Sequence, residues 1–219
     1  MKDYFKRNSP IFYIGIATAV IFLAIIFAGQ SVPNQQPTLK VVEEKNLFSE
    51  EDTIVGFKEA RVTLVEFMDY SCPFCKTINP ITKNLISGNN TKLRLVVRHF
   101  PLTQLPGHEN SYSAALAAEA SAKFNKFNEM HNALLEAQNL DRDSIIAIAE
   151  RIGINKDEFI SEWDSESVKA KVERDIKDAE NLQVRGTPTF FLNGKQVDLQ
   201  NRDLNTEVQA EINRVYPQN

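Results

Sequence analysis

The sequence predicts an α/β domain interrupted by a helical block and preceded by one membrane-crossing helix. Three observations predict it. A strand-like run, a helix and a second strand follow one another between residues 62 and 99. Residues 108–184 carry helical periodicity with no strand signal. Residues 11–29 are almost wholly apolar.

The nineteen residues 11–29 hold Thr18 as their one polar side chain besides the Tyr13 hydroxyl. About twenty apolar residues cross a bilayer as a helix. Lys2, Lys6 and Arg7 precede the run, and only Lys40 lies in the fifteen residues after it. The positive-inside rule then keeps the N-terminus in the cytoplasm and exports the rest. A cleavable signal peptide is the competing reading. Its apolar region should be shorter, about 7–15 residues, and end in small residues spaced for cleavage. Here Ile26 or Phe27 would occupy the position that wants a small side chain, so an uncleaved anchor is expected. Residues 30–219 carry 22 Lys/Arg against 28 Asp/Glu. A surface of net charge −6 lacks the basic face that nucleic acid requires.

Residues 30–52 read as a polar, semi-extended linker, with Pro33, Pro37 and an acidic cluster from Glu43 to Asp52. A short strand near 39–42 is conceivable within it. Val62 to Met68 is apolar and β-branched, as a strand covered on both faces should be. A helix follows from Cys72 to Gly88, then a second strand from Leu93 to His99, stopped by Pro101. Strand, helix and strand imply a parallel pair with a right-handed crossover. Helices are then expected around Tyr112–Phe124 and through Phe127, Met130, Leu134 and Leu135. Asp141 caps a further helix that Gly153 ends, and Asn155 with Glu158 resembles a capping box. Val168, Val172, Ile176 and Ala179 form one stripe of another. Asn193-Gly194 between Pro188–Leu192 and Lys195–Val197 signals a hairpin, since both turn residues need positive φ. A last helix runs over 205–215.

Two cysteines occur in 219 residues, three positions apart, between the first strand and the helix. Cys72 can cap that helix, with Pro73 at the first helical position, where a missing N–H costs nothing. The free N–H groups and the positive dipole end then favour a thiolate, lowering its pKa from about 8.5 into a range of roughly 3.5–7.5. Cys75, one turn on, should be more buried. Half of a zinc site is a rival reading. Structural zinc takes four Cys or His ligands; no second pair exists, and His99, His108 and His131 are scattered. An inert structural disulfide is another, yet a bridge across two residues removes little chain entropy.

Glu66-Phe67-Met68-Asp69-Tyr70-Ser71-Cys72-Pro73-Phe74-Cys75 and Gly186-Thr187-Pro188-Thr189-Phe190-Phe191-Leu192-Asn193-Gly194 resemble the active-site segment and the cis-proline loop of DsbA-like thioredoxin-fold proteins. Pro80, five residues after Cys75, fits the helix-kinking proline of that pattern. The helical block resembles the DsbA insertion. The resemblance covers about Val55 to Tyr216. It implies a thioredoxin fold with an inserted helical subdomain over about 108–184, in a domain spanning 53–219. Residues 1–10 would be cytoplasmic, 11–29 the transmembrane signal anchor and 30–52 the linker.

The resemblance also implies an enzyme, a thiol–disulfide oxidoreductase, with Cys72, Cys75 and Glu66 as catalytic residues and Thr187, Pro188, Pro73 and Phe74 as the substrate-binding surface. Glu66 would relay a proton to or from Cys75. A buried acid with a raised pKa suits that task. No cofactor or metal is implied, and a monomer is expected. The implied partners are exported polypeptides carrying thiols or disulfides, and a quinone-linked membrane thiol oxidase, DsbB-like or VKOR-like. The implied location is the cell membrane, single-pass, with the catalytic domain periplasmic or extracellular. Asp69, Tyr70, His108 and His131 read as shaping or packing residues, and a strand-end histidine such as His99 is usually structural. Phe74 departs from the histidine common in DsbA enzymes, and Thr187 from the valine common in the strongest oxidases. The resemblance implies that the pair introduces disulfides into exported proteins, and both departures weaken that expectation. A reductase or isomerase of the same fold is the first alternative, although residues 30–54 are too short for the dimerisation domain of such isomerases. A tethered polypeptide-binding module with a structural disulfide is the second.

Overall fold

Val62–Met68 (β2) is buried at every residue, and that burial fixes its place at the centre of a sheet. The computed structural model describes residues 39–49 and 52–217. Residues 11–29 lie outside the described residues; among those described, no helix is long and apolar enough to cross a membrane. Around β2 lie Ile54–Gly56 (β1), Leu93–His99 (β3), Thr189–Leu192 (β4) and Lys195–Gln196 (β5), in the order β1-β3-β2-β4-β5. β2 and β3 are parallel, and the other pairs are antiparallel. Pro73–Gly88 (α1) makes the crossover between β2 and β3.

Side chains alternate across a strand. Val62, Leu64 and Met68 join the cluster built on α1 and the C-terminal helix Leu204–Val215 (α7). Val65 and Phe67 join the opposite cluster, with Leu47, Val96, Ala179 and Phe191. Glu66 is in phase with Leu64 and Met68, so it points to the α1 side. Both faces are covered, which explains the continuous apolar run.

Between β3 and β4 stand five helices: Ser111–Ala122 (α2), Phe127–Glu136 (α3), Arg142–Arg151 (α4), Lys156–Trp163 (α5) and Glu166–Asn181 (α6). α2 is Ala-rich and buried over most of its length, which lets α3, α5 and α6 approach it closely. Asp141 caps α4 through Ser144 N–H, and Asn155 caps α5 through the N–H groups of Asp157 and Glu158. This is the thioredoxin-like α/β fold with a helical insertion that the motifs imply. Asn193 and Gly194 both have positive φ, 44° and 83°, as the hairpin requires.

The packed body begins earlier than the predicted linker allows. Residues 39–42 lie along β5: Val41 bridges Lys195, Gln196 N–H donates to Lys40 C=O, and Val42 N–H donates to Gly194 C=O. A Cβ on Gly194 would collide with the Val42 carbonyl, so that turn needs glycine for space as well as φ. Leu47 is fully buried; a side chain of that size contributes about 1.5–3 kcal/mol when removed from water. Its carbonyl accepts from the Arg98 guanidinium. The strand β1 was too short to read from sequence.

Beneath β3 lies a buried ionic cluster. Arg98 pairs with Asp175 at 2.7 Å and Asp178 at 2.6 Å, and Lys171 pairs with Asp175 at 2.7 Å and Asp52 at 3.1 Å. His99, Glu119 and Asp175 come within 4.8 Å of one another, a set with metal-ligating chemistry. Lys171 Nζ sits among them, 3.6 Å from Glu119 and 2.7 Å from Asp175, and supplies the cation itself.

Candidate active site

The C-terminal ends of the parallel strands β2 and β3 and the start of β4 meet at one end of the sheet. This brings together residues 69–75, 99–111 and 186–188. Cys72 is the N-cap of α1, and Pro73 is its first residue. Pro80 lies inside the same helix, where it leaves the Lys76 carbonyl without its helical donor.

Both cysteines are free thiols, and their environments differ. The Cys72 thiol drops from 9.0 to about 5. A hydrogen bond from Cys75 is the largest cause. Burial opposes it, and Thr187 with the backbone N–H groups of Cys75 and Phe74 reinforces it. Cys75 moves the other way. Burial pushes it far above its ordinary value, helped by its bond to Cys72 and by Glu66, while a backbone bond from Asp69 pulls weakly down. One sulfur is thus prepared as a thiolate and the other as a thiol.

The Thr187–Pro188 peptide is cis, and the Cys72 thiol donates to the Thr187 carbonyl at 3.2 Å. The Thr187 hydroxyl is buried and has no fixed partner among the described residues. A thiolate at Cys72 is the acceptor that hydroxyl lacks. Replacing Thr187 by Val is therefore expected to raise the Cys72 pKa by roughly one unit, the size of a hydrogen bond to a charged group. Thiolate ultraviolet absorbance against pH checks this, and an unchanged curve would assign the low pKa to the Cys75 thiol and the helix start.

Glu66 is 3% exposed and is pushed from 4.5 to about 8, first by burial and then by the Cys72 charge. It is not an exposed acid on a strand edge. Phe74 is 73% exposed beside the thiol pair. It offers no side-chain donor, yet the bonds around Cys72 already depress its pKa. The structure thus brings Cys72, Cys75, Glu66, Thr187, Pro188, Pro73 and Phe74 to one place.

Further residues complete the surroundings. Tyr70 is buried, and its hydroxyl meets His131 Nδ1 at 3.0 Å on α3. Burial drives His131 down to about 3, so its ring is neutral near pH 7. His99 Nε2 lies 2.9 Å from Glu119. Asp69, His108 and Ser111 have the composition of a hydrolase triad but not its wiring. Both His108 and Ser111 bond to the carboxylate, at 2.8 and 2.6 Å, whereas a nucleophile must donate to the histidine.

A sequence model of the family described as Thioredoxin (Thioredoxin_4) matches residues 49–210. Among solved structures, a thioredoxin-like oxidoreductase from Silicibacter pomeroyi DSS-3 is 26% identical, with a TM-score of 0.69 over 81% of this chain and all of its own. The thiol-disulfide exchange protein alpha-DsbA2 from Wolbachia pipientis is 25% identical, with a TM-score of 0.68 over 78% of this chain and 91% of its own. Among curated relatives, the Na(+)/H(+) antiporter NhaA 3 of Salinispora tropica is 37% identical over 146 residues, 66% of this chain and 22% of the antiporter. The chain spans about a fifth to a third of the length of the curated relatives it matches.

Proposed function

The chain belongs to the thioredoxin family, and from that membership we propose that it is an extracytoplasmic thiol–disulfide oxidoreductase, working through Cys72 and Cys75 and donating disulfides to exported polypeptides. The observation that carries this reading is the asymmetry of the two sulfurs, a depressed thiol at the helix start and a buried, raised one over Glu66.

In the oxidised enzyme a substrate thiolate attacks Cys72 Sγ. The Cys72–Cys75 bond breaks, a mixed disulfide forms, and Cys75 leaves with the electron pair. Glu66, whose protonated form is favoured first by burial, gives Cys75 the proton that its high pKa demands. A second substrate thiolate then attacks the substrate sulfur of the mixed disulfide and expels Cys72 as thiolate. Two electrons pass from the substrate dithiol to the enzyme. A well-stabilised leaving thiolate favours this direction, because low pKa makes a better leaving group and a more stable reduced form. Phe74 and the loop at Thr187–Pro188 offer the substrate an exposed apolar side chain and backbone polar groups beside the reacting sulfur.

Replacing Glu66 by Gln is expected to slow turnover by about 10²-fold, the lower end of general acid–base contributions. The sign of the pH effect follows from the raised pKa. The proton is held below the raised pKa of Glu66 and lost above it, so the rate of Cys75 departure in the wild type falls as pH rises through that pKa, which burial holds above the usual carboxylate range. The Gln variant should lack that limb. Rates equal to wild type across this range would remove the relay role.

Residues 11–29 are proposed as the uncleaved anchor, on their apolar length and the basic residues before them. The relatives named as antiporters support a membrane-side setting, since each carries a segment similar to this chain within a membrane transporter. A quinone-linked membrane thiol oxidase is the proposed acceptor of electrons. The measurement that tests the direction of flow is the reduction potential of the full chain in detergent, equilibrated with glutathione buffers. A value near the roughly −120 mV of DsbA is expected, and one near the roughly −270 mV of thioredoxin would reverse the assignment to a reductase.

A further inference from the structure

We infer that Asp69 is a positioning residue through which the helical insertion fixes the geometry of the two cysteines. The inference rests on the thiol–disulfide reading of the pair and is independent of the direction of electron flow.

Asp69 is 1% exposed, and its carboxylate accepts four hydrogen bonds. Oδ1 takes the Ser71 N–H at 2.7 Å and the Ser111 hydroxyl at 2.6 Å. Oδ2 takes the Leu102 N–H and the His108 Nδ1–H, each at 2.8 Å. A carboxylate has about four acceptor positions, so this one is saturated. Such bonds to an ionised acceptor are individually strong, and a buried carboxylate is costly without them.

The donors come from separate stretches of chain. Ser71 belongs to the active-site turn. Leu102 and His108 belong to the segment after β3, and Ser111 opens α2, the first helix of the insertion. The side chain therefore ties the turn that carries Cys72 to the point where the insertion leaves the sheet. The Asp69 peptide group completes the arrangement. Its carbonyl accepts the Cys72 N–H at 3.1 Å, and its backbone N–H side faces Cys75, where it draws that thiol's pKa down against burial. One residue thus bonds the Cys72 turn through its main chain while its side chain is held by the insertion.

The groups that stabilise a Cys72 thiolate act only over short distances and in fixed directions: Thr187, the Cys75 thiol, and the first N–H groups of α1. The turn 69–72 aims the sulfur at all of them. If the turn loosens, those bonds lengthen together, the thiolate is less stable, and the reduced form loses its advantage.

The test uses the full chain and keeps Asp69 intact, because a buried Asp69→Ala variant risks failing to fold. Ser111→Ala and His108→Leu each remove one anchor from the insertion side. His108→Asn keeps a donor near the position of Nδ1. Ser165→Ala removes the N-cap of α6, whose hydroxyl accepts Val168 N–H, and serves as a control for destabilisation remote from the turn. Two quantities are read beside the Tm: the Cys72 pKa and the equilibrium constant for oxidation by glutathione. Ser111→Ala and His108→Leu should each raise the pKa and shift the equilibrium constant about tenfold towards the oxidised enzyme, about 30 mV for a two-electron couple. His108→Asn and Ser165→Ala should stay within about twofold of wild type. The inference is overturned if Ser111→Ala and His108→Leu lower the Tm as Ser165→Ala does while both redox quantities stay at the wild-type values. The potential of the wild type decides electron direction; only the differences among these variants decide the role of Asp69.

Discussion

Replacing Cys72 by serine is expected to abolish thiol–disulfide exchange by the full chain, leaving the uncatalysed background. Serine is close to isosteric, so the helix cap and the Thr187 contact survive. The chemistry does not. An alcohol is not ionised near neutral pH, and it cannot form the mixed disulfide. No partial rate is available from Cys75, which is 1% exposed and whose thiol is held far above its ordinary pKa. An oxidation assay with a dithiol-bearing peptide and the oxidised enzyme, and a binding assay with the same peptide, should be run side by side. Loss of exchange with binding retained fits the proposed enzyme. Full function in the serine variant would instead make the chain a polypeptide-binding module whose cysteine pair is incidental.

Arg98→Ala should cost about 3–5 kcal/mol of stability, read from urea denaturation of the full chain, because removing one member of a buried ionic set strands the others. Arg98 is 1% exposed on β3, and it meets Asp175, Asp178 and the Leu47 carbonyl at once. Among the described residues, Asp175 is then left with Lys171, and Asp52 with Lys171 and Arg174, as counter-charges. The segment holding Leu47 also loses a donor, so proteolysis near residues 39–49 should accelerate in the same variant. A loss below about 1 kcal/mol would place this cluster among ion pairs of surface strength.

These two sites differ in how far the sequence announces them. Cys72 and Cys75 are readable because their meaning is local: a strand, a cap, a first-turn proline and a second sulfur one turn later. Asn193-Gly194 is readable for the same reason, since two residues fix the turn. Both strands beside the site, Val62–Met68 and Leu93–His99, are legible in their apolar, β-branched composition. Glu66 stands out as a carboxylate in an apolar run, and alternation along β2 supplies its direction. Thr187 and Pro188, remote in sequence, were reachable through resemblance to a known pattern.

The ionic cluster was not legible. Arg98 and Asp175 are 77 positions apart, and the polar side of an amphipathic helix such as α6 normally faces water. Asp69 looked like a turn former, and nothing local foretold that Ser111 and His108, 42 and 39 residues on, would converge on it. Residues 43–49 read as linker because they are polar and acidic, and residues 39–42 read only as a candidate short strand within it. Their order comes from backbone pairing with β5 and from a single buried leucine, neither of which leaves a periodic signal.

That pairing has a consequence for a protein whose proposed clients are unfolded chains. Open sheet edges recruit any extended polypeptide they meet and so seed aggregation. On one side of this sheet β1 is only three residues long. On the other, the outer rim of β5 is occupied by the chain's own Lys40, Val41 and Val42. Among the described residues, neither β1 nor β5 thus offers an extended client a long free rim along which to add as a strand. The proposed route of such a client then runs through the sulfur end, where the covalent link is made and released.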